Sequence, residues 1–168
     1  DLGAAGKSRM QEINQRLSEL SERFGRNLLA DTKKLAVEFS REELAGLSDD
    51  QLAAYEDGGH YVVPIELPTT QALQSELEES SARHKLFDAS RARGRDTNPD
   101  IVLESVTLRQ ERAKLLGFDT HADYVIAEET AGTAAAARQL IADLAPAAAA
   151  NAEAERKLAG ELAGEELG

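Results

Sequence analysis

Cysteine is absent from the sequence. Disulfides, thiolate metal sites and cysteine nucleophiles are therefore excluded. Tryptophan is also absent, and aromatic residues make up only 4% of the chain. A core must then be built from Leu, Ala, Val and Ile, a palette that favours helix over sheet. No apolar run is long enough to span a membrane, and no charged-then-apolar leader opens the chain. Basic residues are in deficit, 19 against 31 acidic ones, for a formal charge of −12. A field of that sign repels phosphate backbones and anionic lipid, so neither nucleic acid nor membrane is expected as a partner. The lack of cysteine is compatible with the cytoplasm, the expected location. Position 1 is not a methionine, so the 168 residues read as cut from something longer.

The periodicities that are present are mostly helical. Met10, Ile13, Leu17, Leu20, Phe24 and Leu28 recur at three- and four-residue steps, predicting one helix from Ser8, its cap, to Lys34. Leu35 to Phe39 alternates as a short strand. Ser40-Arg41-Glu42-Glu43 and Ser48-Asp49-Asp50-Gln51 both read as capping boxes, predicting two short helices that end near Tyr55. Asp57-Gly58-Gly59 marks a turn, and Tyr61 to Leu67 is the best strand. Pro64 cannot donate to a ladder, so this strand should lie on an edge or leave that position unpaired. Its expected partner is Leu35 to Phe39, in a two-stranded antiparallel ribbon.

Helices return after Pro68. Thr69 or Thr70 should cap one carrying Leu73 and Leu77, and another carries His84, Leu86, Phe87 and Ala92. Asn98-Pro99 starts a helix through Ile101, Val102, Val106, Leu108, Ala113 and Leu116 that Gly117 ends. Asp119 or Thr120 opens a short helix through Tyr124 and Ile126, closing at Gly132. Thr133 caps an Ala-rich helix that runs toward the end without a clear stop, and Pro146 should kink or split it. The predicted fold is mainly α: a single fragment over residues 1–168, an irregular antiparallel helical array with one small ribbon.

Candidate chemistry is sparse. Gly3-Ala4-Ala5-Gly6-Lys7-Ser8 imitates a phosphate-binding loop, but the first glycine of the pattern falls on Asp1 and no strand precedes it, so it reads as a helix lead-in. His60, His84 and His121 are far apart, outside any His-Glu-x-x-His spacing. Asp119 and Asp123 flank His121, but neighbours two apart on a helix diverge. His84 reads as a packed or surface residue and His60 as part of a turn. Glu76, Glu78, Glu79, Glu128, Glu129, Glu165 and Glu166 read as solvated helix faces. Ser80-Ser81 lacks a nucleophile-elbow context, and Tyr61 and Tyr124 read as packing.

Five segments taken in order carry a resemblance. They are Gly6-Lys7-Ser8-Arg9-Met10-Gln11-Glu12-Ile13-Asn14 continuing to Asn27-Leu28-Leu29; Glu43-Leu44-Ala45-Gly46-Leu47; Tyr61-Val62-Val63-Pro64-Ile65 with Pro68-Thr69-Thr70; Arg83-His84-Lys85-Leu86-Phe87-Asp88-Ala89; and Leu108-Arg109-Gln110-Glu111-Arg112-Ala113-Lys114-Leu115-Leu116-Gly117-Phe118 with Ala122-Asp123-Tyr124. In this order the chain resembles the N-terminal portion of the thimet oligopeptidase family of zinc metallopeptidases, most of all its bacterial peptidyl-dipeptidase (dipeptidyl carboxypeptidase) branch.

The resemblance implies a whole protein that hydrolyses short peptides with bound zinc. It also implies that this portion walls a deep substrate channel. In the family two histidines of a His-Glu-x-x-His helix and a later glutamate hold the zinc, and the motif's glutamate is the general base. No position here matches them, so no catalytic, cofactor-binding or metal-binding residue is assigned, and the chain alone is expected to hold no catalytic zinc and cut nothing. Apolar stripes left uncovered are expected to drive self-association. The competing readings are a non-enzymatic helical interaction module and, more weakly, a relative that has lost its metal site.

Overall fold

A computed structural model describes residues 2–164. Asp1, Glu165 and Glu166 lie outside the described residues. The chain divides into two compact units, one comprising Lys7–Leu108 and the other the residues before Lys7 with those from Arg109 on. The predicted helical character holds: α1 (Ala4–Lys34), α2 (Asp49–Ala53), α3 (Leu67–Glu76), α4 (Ser80–Ala92), α5 (Pro99–Leu115), α6 (His121–Ile126) and α7 (Ala134–Ala163) carry most of the chain.

In α1 the predicted stripe is the packed face, with Ile13 and Leu20 fully buried. The helix begins at Ala4 rather than at a Ser8 cap. Ala4, Ala5 and Lys7 are strong helix formers, so the helix extends past the cap candidate. Both capping boxes form. Ser40 N donates to Glu43 Oε2 at 2.8 Å, and Glu43 N donates to Ser40 Oγ at 3.2 Å. Only the second box, Ser48 with Gln51, starts a helix, α2. After the first, Ala45 N bonds Glu42 O and Leu47 N bonds Leu44 O, so residues 41–46 close as successive turns. Gly46, at φ +103°, ends that run.

The ribbon is larger than expected. Strands β1 (Val37–Phe39), β2 (Glu56–Asp57) and β3 (His60–Val63) form an antiparallel sheet in the order β1-β3-β2. The expected pairing is present, with Val37 opposite Val63 and Phe39 opposite Tyr61. The third strand comes from a hairpin that pairs Asp57 with His60, so His60 is a strand residue. Gly58 and Gly59, at φ +60° and +94°, supply the two positive-φ residues that such a two-residue turn requires. β3 is central rather than an edge, and it stops at Val63, so Pro64 never meets a ladder position.

Helix α3 starts at Leu67 with Glu66 as its cap position, ahead of Thr69 and Thr70. Pro68 is tolerated there because its missing N–H belongs to the unpaired first turn. Leu73 and Leu77 pack with Ala82 and Leu86 of α4, with Val37, Phe39, Val63 and Ile65, and with Leu44, Leu47 and Leu52. Arg83 ties this core at its edge. Its Nη1 donates to the carbonyls of Leu77 (2.6 Å) and Glu78 (2.8 Å), satisfying acceptors left at the end of α3.

Helix α5 begins at Pro99 as predicted. Its packed face is narrower than expected: Ile101 and Ala113 are buried, whereas Val102, Val106 and Leu116 are exposed. Gly117, at φ +87°, ends it with Phe118 N bonded to Ala113 O and Gly117 N bonded to Lys114 O. That pair of bonds is the glycine-terminated helix end expected there. Thr120 caps α6 in a box with Asp123, and α6 ends at Ile126, short of Gly132. Thr133 caps α7. Pro146 lies inside α7 without splitting it, flanked by alanines of high helix propensity. A stop is present after all: Gly164, at φ +73°, closes the helix with its N–H on Gly160 O.

Candidate functional site

The described residues hold no group of three or more His, Cys, Asp or Glu side chains placed to share a metal ion. His60 lies on β3, His84 on α4 and His121 on α6. Asp119 Oδ1 accepts from Lys114 Nζ at 3.1 Å. Asp123 Oδ2 accepts from Thr120 N at 3.1 Å and from its hydroxyl at 2.6 Å. Both aspartates that flank His121 are thus engaged locally. The zinc implied by the family resemblance therefore does not fit the described residues, and no step is derived through it.

Ser80 and His84 do meet, one helical turn apart, with Gln74, Arg83 and Phe87 around a shallow groove of about 340 Å³. His84 Nδ1 lies 3.0 Å from Ser80 O and 3.5 Å from Ser80 Oγ. The short contact requires Nδ1 to be the donor to the carbonyl, so this nitrogen is not a base for the hydroxyl. Gln51 Nε2 donates to Glu76 Oε2 at 2.7 Å, and Glu79 occupies the cap position of α4 without a side-chain cap bond. Glu78, Glu128 and Glu129 are exposed. No acid–base pair is assembled from these carboxylates.

The most buried polar arrangement lies where the sequence offers little warning of it. Asp31 of α1 accepts at Oδ2 from Gly94 N (2.8 Å) and from Thr97 Oγ1 (3.1 Å). Asn27, one turn earlier, donates to Thr97 O (3.1 Å) and to Asn98 Oδ1 (2.8 Å). The loop between α4 and α5 is therefore pinned to α1. The one available signal is an acidic residue continuing the apolar spacing Leu20, Phe24, Leu28 at position 31. Beside this lock, Phe24, Leu28, Val102, Leu103 and Arg95 line an open apolar groove of about 480 Å³. Arg16 also joins α1 to α5 through a two-pronged bond to Glu104, 2.6 and 2.9 Å, which holds the Glu104 carboxyl below its usual range. The pair is exposed, so it orients the helices more than it stabilises them.

His121 packs near the ring of Tyr124, which meets Phe118 edge-on, and the Arg112 guanidinium lies 5.5 Å over Tyr124. Burial, and then the charges of Arg109 and Arg112, push the His121 imidazole below its ordinary 6.5. Unfolding restores the ordinary value, so below about pH 6.5 the unfolded chain binds a proton that the fold rejects. The stability tied to neutral His121 is complete above that pH and is lost as pH falls toward the folded value. Thermal melts between pH 7 and 5 should show this loss, and His121→Gln should reduce it. An undiminished loss in the variant would contradict the assignment.

The described residues thus form a helical scaffold with polar ties and shallow grooves. Comparison with known proteins places it further. Residues 73–168 match the profile of Peptidase family M3. The chain is 31% identical to dipeptidyl carboxypeptidase of Escherichia coli (strain K12) over 92% of its own length and 24% of that protein. It is 30% identical to oligopeptidase A of Haemophilus influenzae over 74% of its length and 21% of that protein. Saccharolysin of Saccharomyces cerevisiae is 26% identical over 86% of the chain and 21% of that protein. The chain belongs to peptidase family M3, as the ordered segments suggested. It spans about a quarter of the length of the curated relatives it matches.

Proposed function

We propose that this chain is the N-terminal, non-catalytic part of a cytoplasmic zinc metallopeptidase that hydrolyses short peptides as an oligopeptidase or peptidyl-dipeptidase. Its helices contribute one wall of the substrate channel, and the zinc ligands and general base are supplied by other parts of the protein. The observation that carries this reading is the match to dipeptidyl carboxypeptidase over 92% of the chain but 24% of the relative. Further support comes from the polar side chains, whose bonds within the units position helices and loops. No residue of the chain is assigned a catalytic role.

The test is to read the gene frame beyond Gly168 and assay its uninterrupted product on short peptides with and without a zinc chelator. A His-Glu-x-x-His motif and chelator-sensitive hydrolysis are expected. A frame without that motif would overturn the proposal. It would favour the second reading, a non-enzymatic interaction module, for which the exposed face of α7 speaks.

A further inference from the structure

Asp57 is the one aspartate in the sequence that is followed by glycine, and no asparagine is followed by glycine. The step matters chemically. An aspartyl carboxyl can be attacked by the amide nitrogen of the next residue, and a side chain on that residue crowds the approach. Glycine leaves the approach open.

The fold places this step where nothing shields it. Asp57 ends β2 and Gly58 opens the two-residue turn to β3, and both are exposed. A Cβ built on Gly58 or on Gly59 would meet nothing within 4 Å, so the space around the turn is free. Among the described residues the Asp57 carboxylate has no hydrogen bond or ion pair to hold it away from the main chain. The Gly58 N–H makes no turn bond among the described residues either, so the attacking nitrogen is not tied up. The attack also needs the backbone between the two residues to rotate out of the extended form. That rotation is cheap here. β2 is a two-residue strand at the edge of the sheet, with both residues exposed, and it is followed by two glycines. Such a short, solvated edge opens locally at little cost, and exposed tips of small residues are where local opening concentrates.

We propose that Asp57 is a modification site, at which the folded chain forms isoaspartate without an enzyme. Gly58 N bonds to Asp57 Cγ, the Cγ–O bond breaks, and one water leaves with the amide proton, closing a succinimide ring. Water then opens the ring. Opening at Cγ restores aspartate. Opening at the main-chain carbonyl breaks the original peptide bond and leaves Gly58 joined through the side chain. The water lost is regained, so the sum is an isomerisation that needs no other reactant. The product carries one extra main-chain carbon ahead of the turn, which the pairing of Asp57 with His60 across two residues does not accommodate. The inference rests on the hairpin alone and is independent of the peptidase reading.

The test is to hold the 168-residue chain at neutral pH and body temperature for several weeks, folded in buffer and, in parallel, unfolded in guanidinium chloride. Isoaspartate is then read with a protein isoaspartyl methyltransferase and a labelled methyl donor, which esterify isoaspartate but not aspartate. Electron-transfer fragmentation locates it. The folded sample should gain label with time, and residue 57 should carry most of it. In Asp57→Glu, an exposed substitution that lengthens the side chain and disfavours the ring, the label should fall to the background of the other aspartates. Label confined to the unfolded sample would overturn the proposal, because the fold would then protect the step. Label spread evenly over the aspartates, absent from both samples, or undiminished in Asp57→Glu would also overturn it.

Discussion

Gly46→Ala should destabilise the Lys7–Leu108 unit by about 3 kcal/mol, more than any other single methyl added to it. Two costs combine. Gly46 adopts φ +103°, where a Cβ clashes with its own backbone. A Cβ built there would also fall 2.2 Å from the carbonyl oxygen of Glu76 and 3.3 Å from Glu78 Cγ. The nearest obstacle is backbone, and it is held in place because Glu78 N donates to Ala45 O at 3.0 Å. Relief would require moving the end of α3 away from the turn after Leu44, which is itself fully buried. Urea melts of the variant and of Gly58→Ala provide the comparison. Gly58 also has positive φ, but a Cβ added to it would meet nothing within 4 Å, so it should lose only the conformational part, about 1 kcal/mol. Equal losses at the two positions would mean that the close approach at Glu76 is relieved without cost.

Leu86→Ala should cost about 3 kcal/mol in the same unit. Leu86 is fully buried where α4 meets α3 and the sheet, in the cluster that includes Leu73, Leu77 and Phe39. The loss has two parts, the transfer free energy of the removed carbons and the cavity left behind. That cavity is hard to collapse, because Lys85, the preceding residue, is fixed on the sheet. Its Nζ donates to Glu38 O at 2.6 Å and to Glu43 Oε1 at 3.0 Å, and it lies 4.6 Å from the centre of the Phe39 ring. Phe87→Ala is the control. Phe87 follows in sequence but is 45% exposed, so its truncation should cost less than Leu86→Ala despite removing more atoms. Denaturant midpoints at unchanged slope give both values. A Phe87→Ala loss matching that of Leu86→Ala would contradict the placement of the core.

Much of this fold is legible in the sequence because several of its signals are local. The stripe of α1, the Asn98-Pro99 start, and the caps at Thr120 and Thr133 each need only a few neighbouring residues to be read. The pairing of β1 with β3 is legible because β1 alternates apolar and polar residues and Tyr61-Val62-Val63 of β3 is a run of strand-forming residues. The third strand is not, since Glu56-Asp57 is exposed and polar and pairs only because Gly58 and Gly59 permit the tight turn. The first capping box misleads for the opposite reason. Its two bonds are local and form, but whether a helix continues from them depends on Gly46 and its packing on α3. Pro146, read as a kink or a split, does not split α7, because the alanines on either side of it have high helix propensity.

Functional legibility is of a different kind. The absence of metal-spaced ligands and of cysteine restricts the chemistry, and the order of five weak segments points to the family. Asp31 is hard to find because a single carboxylate in a helix resembles a solvated one. Only the fold brings Gly94 and Thr97 to it from more than sixty residues away.

The central claim is that these residues are a non-catalytic part of a family M3 peptidase. Its most direct test is to add stoichiometric zinc to the purified 168-residue chain and follow cleavage of short quenched-fluorescence peptides, alongside the uninterrupted gene product. Chelator-sensitive hydrolysis by the longer protein, and none by the chain, is the expected result. Zinc-dependent cleavage by the chain alone, retained through purification to homogeneity, would contradict it.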